Sequence, residues 1–343
     1  MTRKARALAA LTVAASVGAC SYQTYLSAYG TAGLENRYFH TLFIVFLAVC
    51  AVMYALVIAF LIGGFIRSRR RTADAHVVET GRHKTSNPAM RTGLLGWTIL
   101  VSTGLAALAI ASFFTDRSMA KAAANERLSI KVTGNQWWWD VTYNASEPAN
   151  MLHTANEIHV PVGVPTRILL TSNDVIHSFW LPSMTGKQDL IPGRQNDITI
   201  VPTKVGIYRG QCAEFCGAQH AHMAFVVNVD SYPDFLKWWR QQLRPAFAPR
   251  TPEQLAGYRY VTTGPCAACH NISGTPAGGK IAPDLTHLAS RRSIAAGTLP
   301  MSKGNLYGWV EDPQSLKPGS KMPTIGLEPQ QLHAVVAYLE SLK

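Results

Sequence analysis

The sequence predicts a chain of three parts: a hairpin of two membrane-spanning helices, an all-β Greek-key sandwich or barrel, and a small all-α domain. Three observations carry that reading. Two long runs near the N-terminus lack any charge. Residues 127–240 alternate short β-rich runs with Gly, Pro, Asn and Asp turns. Residues 253–343 repeat apolar side chains at helical spacing. A length of 343 residues has room for this arrangement, since a domain takes about 100–200 residues. Charged residues make up only 15%, so uncharged stretches must be concentrated somewhere.

Residues 1–20 carry Arg3, Lys4 and Arg6 near their start, continue through an apolar stretch and end in small residues. That is the pattern of a secretory signal peptide. The ending Val17-Gly18-Ala19-Cys20 also resembles a bacterial lipoprotein signal, in which Cys20 becomes the lipidated first residue. An ordinary cleavage site, or an uncleaved segment, is the alternative.

Residues 41–66 run without a charge and are long enough to cross a bilayer, which takes roughly 20 apolar residues. Arg67, Arg69, Arg70 and Arg71 follow at once and mark that end as cytoplasmic. A polar loop, 67–92, leads to a second uncharged run, 93–114. Everything after Asp116 is then expected outside the cytoplasm.

The net charge of +12 would suit a nucleic-acid partner, but its distribution argues against one. Residues 67–91 hold seven Lys or Arg against Asp74 and Glu79, beside the apolar runs. Residues 116–343 hold 21 against 17. The excess follows membrane topology.

In the middle region, strands are expected at 128–133, 137–143, 157–160, 166–172, 197–201, 206–211 and 224–229. A closing helix is expected at 231–242, its Phe235, Trp238 and Trp239 packing on the β domain. Within twelve residues stand Cys212, Cys216, His220 and Met223. Thiolate, imidazole and thioether together suit copper. A hard cation would want clustered carboxylates, and Met is a poor zinc ligand. A further His, His177, lies in an upstream loop. Two sulfurs with two His and a Met could hold a bridged copper pair suited to electron transfer.

This pattern, Cys-x-Glu-x-Cys-x-x-x-His-x-x-Met with an upstream His-Ser-x-Trp, resembles the binuclear CuA site of the cytochrome c oxidase subunit II family. The resemblance continues through Lys187-x-Asp189-x-Ile191-Pro192-Gly193-Arg194 and Gly134-x-Gln136-Trp137-x-Trp139, and covers roughly residues 40–240. It implies a cupredoxin fold for 127–240. It also implies copper ligation by His177, Cys212, the Glu214 carbonyl, Cys216, His220 and Met223. The Glu214 carboxylate would reach a Mg²⁺ shared with subunit I, and Trp137 would sit at the electron entry. His222 is read as exposed or supporting, not as a ligand. One departure stands out: Gly93-Leu94-Leu95-Gly96-Trp97-Thr98 lacks the acid that often precedes Trp-Thr in the family, so no proton-entry residue is carried over.

A Pro- and Arg-rich linker, 241–252, precedes the last region. There Cys266-Ala267-Ala268-Cys269-His270 reads as covalent attachment of haem c. His270 would take one face of the iron. Of the two downstream methionines, Met322 in a Pro/Gly loop is better placed than Met301 for the other face. Helices are expected at 253–262, 305–312 and 328–342, the last with Leu332, Val335, Val336 and Leu339 on one side. This region, 253–343, resembles a class I cytochrome c. A zinc ribbon would need a second Cys pair, and His287 and His333 are read as packing or surface residues.

Together these features imply the electron-entry subunit of a proton-pumping cytochrome c oxidase. It would sit in a bacterial inner membrane, with the CuA and haem c domains outside the cytoplasm. Implied partners are subunit I, subunit III, a cytochrome c or upstream complex as donor, and lipid. The chain alone is not expected to reduce oxygen. A CuA-bearing nitric oxide reductase subunit is a rival reading. A copper carrier would not need the haem, and a quinol oxidase subunit would lack the copper ligands.

Overall fold

A computed structural model describes residues 26–71, 88–144 and 150–343. The signal-like segment with Cys20, and most of the polar loop at 67–92, lie outside the described residues. The chain divides into two units. One is 37–122, and the other comprises the residues before and after it.

The first unit is helical. Helix α1 spans Leu34–Arg71 and α2 spans Pro88–Ala123. Each runs past the charge-free stretch that announced it. At 1.5 Å per residue, 38 residues reach about 57 Å, well beyond a hydrocarbon core of roughly 30 Å. Backbone hydrogen bonding continues into the polar flanks because nothing there breaks it, and Pro88 opens α2 where its missing N–H costs nothing. Large apolar side chains such as Phe46, Phe60, Leu94 and Ile99 are exposed along both helices, as lipid-facing helices require.

Among the described residues, the β domain of the second unit holds ten strands in two sheets. One sheet has the order β3 (Leu152–Ala155), β2 (Trp138–Asn144), β1 (Leu128–Asn135), β5 (Thr166–Ser172) and β8 (Asn196–Ile200). The other runs β4 (Glu157–Pro161), β10 (Ala224–Asp230), β9 (Gly206–Cys212), β6 (His177–Trp180) and β7 (Lys187–Leu190). Pairs β1·β5 and β4·β10 are parallel and the remaining ones antiparallel, a Greek-key sandwich. Alternation fixes the faces: along β5, every second side chain from Thr166 to Ser172 is buried. Trp139, Phe179 and Phe225 meet at the centre, with Phe179 stacked on Phe225 at 4.3 Å between ring centroids and Trp139 edge-on to Phe225 at 5.3 Å.

Strands β3, β6 and β7 were not expected. Each has four residues and carries polar side chains. Pairing with distant segments holds them extended, so local pattern gives no warning. The closing helix, α3 (Tyr232–Gln242), starts at a Ser231 cap. Phe235 is buried, and Trp238 stacks on His159 at 4.1 Å.

The C-terminal domain is built on α4 (Pro252–Thr263), α5 (Lys303–Glu311), the single turn α6 (Pro313–Leu316) and α7 (Pro329–Ser341). A two-stranded ribbon, β11 (Ser293–Ile294) with β12 (Leu299–Pro300), lies between α4 and α5. Val261, Ile272, Leu306, Val310, Leu332, Val336 and Tyr338 form its core. Helices α4 and α7 approach at Gly257, where a Cβ would fall 1.9 Å from the Ala334 carbonyl. Only glycine allows that crossing.

Candidate functional site

The β sandwich delivers two loops to one end. Strand β6 starts with His177, and the segment from β9 to β10 carries Cys212 to Met223. Phe179 pairs with Cys212 across β6 and β9, which sets His177 beside the second loop. There Cys212 Sγ lies 3.9 Å from His177 Nδ1 and 3.8 Å from Cys216 Sγ. Cys216 Sγ lies 3.6 Å from His220 Nδ1 and 3.8 Å from Met223 Sδ. The Glu214 carbonyl stands 3.2 Å from Cys212 Sγ. All six expected donor groups thus form one connected cluster. Donors sharing a tetrahedral ion stand about 3.3–3.8 Å apart at usual bond lengths, so the spacing fits metal ligation. The soft composition fits copper.

Burial and hydrogen bonding fix the cluster. His177, Cys212, Cys216 and Met223 are all buried. His177 Nε2 donates to Asp174 Oδ1 at 2.9 Å, which turns Nδ1 toward the sulfurs. A carboxylate behind a histidine orients the ring and raises its donor strength. Gly134 leaves room for it: a Cβ there would lie 2.6 Å from the His177 ring. Gln136 Nε2 and Trp137 Nε1 both donate to the Cys216 carbonyl, at 2.7 and 2.9 Å. Trp137 is thereby tied to the loop that carries the thiols.

The hydrogen bond between the two thiols pulls the Cys212 pKa well down, against the cost of burial, with His177 assisting. The same bond and burial push Cys216 up. Burial disfavours a charged His177, but Cys212 and Asp174 outweigh it and raise its pKa. The direction at Cys212 is toward the thiolate, the form that binds metal. His222 is exposed, and its Nδ1 bonds Gln219 Oε1 at 2.7 Å. The Glu214 side chain is exposed too.

In the C-terminal domain, Cys266, Cys269 and His270 follow α4 in a tight turn. His270 Nδ1 lies 2.7 Å from the Pro283 carbonyl, which leaves Nε2 as the ring nitrogen able to accept or ligate. Burial pushes the His270 pKa down, against that hydrogen bond, which favours the neutral imidazole. Gln314 Nε2 holds the carbonyls of Ser320 and Met322 at 2.8 and 2.7 Å, shaping the loop that presents Met322. Met301 is instead packed against the domain core. His287 is buried, its ring nitrogens on the Lys343 and Arg244 carbonyls. His333 is exposed beside Tyr307.

Sequence reasoning missed four residues. Asp174 could have been noticed, three positions before His177. Lys317, Lys321 and Gln219 could not. Lys317 is 2% exposed, and its Nζ donates to the carbonyls of Trp137, His222 and Ala295. Gln219 Nε2 donates to the Pro318 carbonyl at 2.8 Å. Lys321 pairs with Asp174 at 3.2 Å. These contacts seat the C-terminal domain on the donor-bearing end of the β domain.

Comparison with known proteins agrees with this geometry. Residues 128–230 match the family model described as cytochrome c oxidase subunit II, periplasmic domain. Residues 255–343 match the cytochrome c model. The chain is 29% identical over 331 residues to cytochrome c oxidase subunit 2 of Alkalihalophilus pseudofirmus, covering 94% of this chain and 93% of that one. It is 31% identical over 266 residues to the protein of the same name from Bacillus sp. PS3, covering 72% and 73%. A crystal structure of the periplasmic domain of subunit II from Bradyrhizobium japonicum matches at 33% identity and a TM-score of 0.32, over 34% of this chain and 94% of that one. The periplasmic model implies CuA copper and the cytochrome c model implies haem, on a subunit of an oxidoreductase complex. From the buried sulfur and imidazole cluster to the relatives that share most of its length, the chain belongs to the cytochrome c oxidase subunit 2 family.

Proposed function

We infer that this chain is the electron-entry subunit of a proton-pumping oxidase in a bacterial inner membrane. It would receive electrons on its C-terminal domain and pass them through the β domain to subunit I. Cys266 and Cys269 would hold a haem covalently, with His270 and Met322 as the residues that would ligate its iron. His177, Cys212, Glu214 (through its carbonyl), Cys216, His220 and Met223 would hold a copper pair. When bound, these groups supply reversible one-electron transfer.

The chain's own residues prepare that transfer. Asp174 and the sandwich hold the donor set in place, so little has to move when charge changes. Burial excludes water from the sulfurs. Trp137, bonded to the Cys216 carbonyl, lies between the donor loop and the C-terminal domain and marks the crossing point. The exposed Glu214 carboxylate would complete a Mg²⁺ site at subunit I. Subunit III, lipid and a cytochrome c or upstream complex as donor complete the proposed setting.

One observation carries this reading: six donor groups of the right chemistry converge within 3.2–3.9 Å contacts at the end of the sandwich. The test is a purified complex reduced by a cytochrome c donor. The chain should stain for haem on a denaturing gel, and its oxygen uptake should depend on copper. Absence of haem stain from this chain's own band after acid-acetone extraction would contradict covalent attachment. Undiminished oxygen uptake after copper removal would contradict the route.

A further inference from the structure

Lys317 has no role in the mechanism above, yet it is a buried ammonium at the junction of two domains. Burying a charge is costly unless every donor is met. Here the acceptors are three backbone carbonyls, one for each N–H: Trp137 at 2.9 Å, His222 at 2.7 Å and Ala295 at 2.8 Å. Two belong to the β domain and one to the C-terminal ribbon. Trp137 is the proposed crossing point, and His222 adjoins Met223 of the donor set. Lys317 begins the loop that ends at Met322. On that loop Pro318 is held by Gln219 and Lys321 by Asp174, whose other oxygen orients His177. Gly319 backs onto the Trp137 ring.

The ribbon on the same side of the junction as Lys317 is shaped for the same contact. Ala295 and Ala296 have φ of 53° and 58°, a left-handed conformation that alanine rarely takes. It turns the Ala295 carbonyl to Lys317 and the Ala296 carbonyl to the Ala224 N–H at 2.9 Å. Burial pushes the Lys317 pKa down to about 7, against the charge of nearby Cys216, which raises it; the three carbonyls give each N–H of the protonated amine an acceptor.

We propose that Lys317 is a positioning residue, a latch that seats the C-terminal domain on the donor end of the β domain and sets the rate of electron transfer between them. The proposal rests on the electron route given above. One electron leaves the C-terminal domain, one arrives in the β domain, and no atom or proton crosses.

The test has two arms on the full chain in its complex. In the first, native protein is reductively methylated and lysines are read by mass spectrometry. Lys317 should react at least tenfold more slowly than the exposed Lys303 and Lys321, and equal rates would overturn the latch. This arm needs neither a variant nor turnover, so it can fail while the copper and haem assignments stand. In the second, Lys317→Met is compared with wild type by flash reduction. Transfer from haem to copper should slow at least tenfold, with both centres' spectra intact and haem reduction by the external donor unchanged. Unchanged transfer would overturn the proposal. If Lys317→Met loses its spectra, the labelling result decides.

Discussion

The two cofactor-bearing domains of this chain place their functional side chains in different ways. In the β domain the donor groups touch one another, sulfur to sulfur and sulfur to imidazole, over 3.6–3.9 Å. In the C-terminal domain each group is set by a side-chain hydrogen bond to a backbone carbonyl: the His270 ring bonds the Pro283 carbonyl, and the Gln314 side chain holds the Met322 carbonyl. A metal pair is small, so protein side chains can define its site by mutual contact. A porphyrin is large, so its residues must be spaced around it and anchored separately. The β-domain site is therefore more sensitive to any single change nearby.

Cys216→Ser tests that difference most severely. Cys216 touches Cys212, His220 and Met223, so its loss should abolish the copper spectrum and stop oxygen uptake. The haem should remain reducible. Normal oxygen uptake by this variant would show that electrons take another path.

Truncating the core under the site comes next. Trp139 is fully buried and stands 6.1 Å from the His177 ring. Trp139→Ala should cost about 3–5 kcal/mol on chemical denaturation and broaden the copper spectrum. The haem spectrum should stay sharp. A variant that keeps full stability would place the core elsewhere.

Sequence pattern made part of this molecule legible and hid the rest, for physical reasons. Cys212 to Met223 lie in one short loop, so covalent proximity alone announced them, as it announced Cys266 to His270. The membrane helices were plain because a bilayer demands long uncharged runs. Strands β6 and β7 were invisible because four residues carry too little alternation, and their extension comes from partners far along the chain. Lys317 was invisible for a stronger reason. It reaches carbonyls 180, 95 and 22 residues away, and every residue has a carbonyl. Nothing in a sequence marks which one will be used.

Asp174→Asn sharpens the comparison at smaller scale. Removing the charge behind His177 should weaken copper retention about 10–100-fold, read by competition with a chelator. The haem should not respond. Unchanged copper retention would mean that the sandwich alone orients the ring.

The smallest effect is a pH dependence of stability. His159 bonds Asp230 at 2.7 Å and Glu157 at 3.0 Å. Burial opposes its charge, but the two acids outweigh this and raise its pKa above the ordinary 6.5. Glu157 moves the other way: burial would raise it, and His159 brings it below its ordinary 4.5. The His159 contribution is then complete below 6.5 and lost as pH rises through the raised value. The Glu157 contribution is lost only on strong acidification. His159→Gln should cost about 1 kcal/mol at pH 6 and less at pH 8.5. A cost that grows with pH would reverse the assignment.

The most direct measurement of the central claim is the metal content of the purified full chain by elemental analysis. The donor cluster predicts about two copper atoms for each covalently bound haem iron. Zinc in place of copper, or copper lost by Lys317→Met but retained by Cys216→Ser, would contradict it.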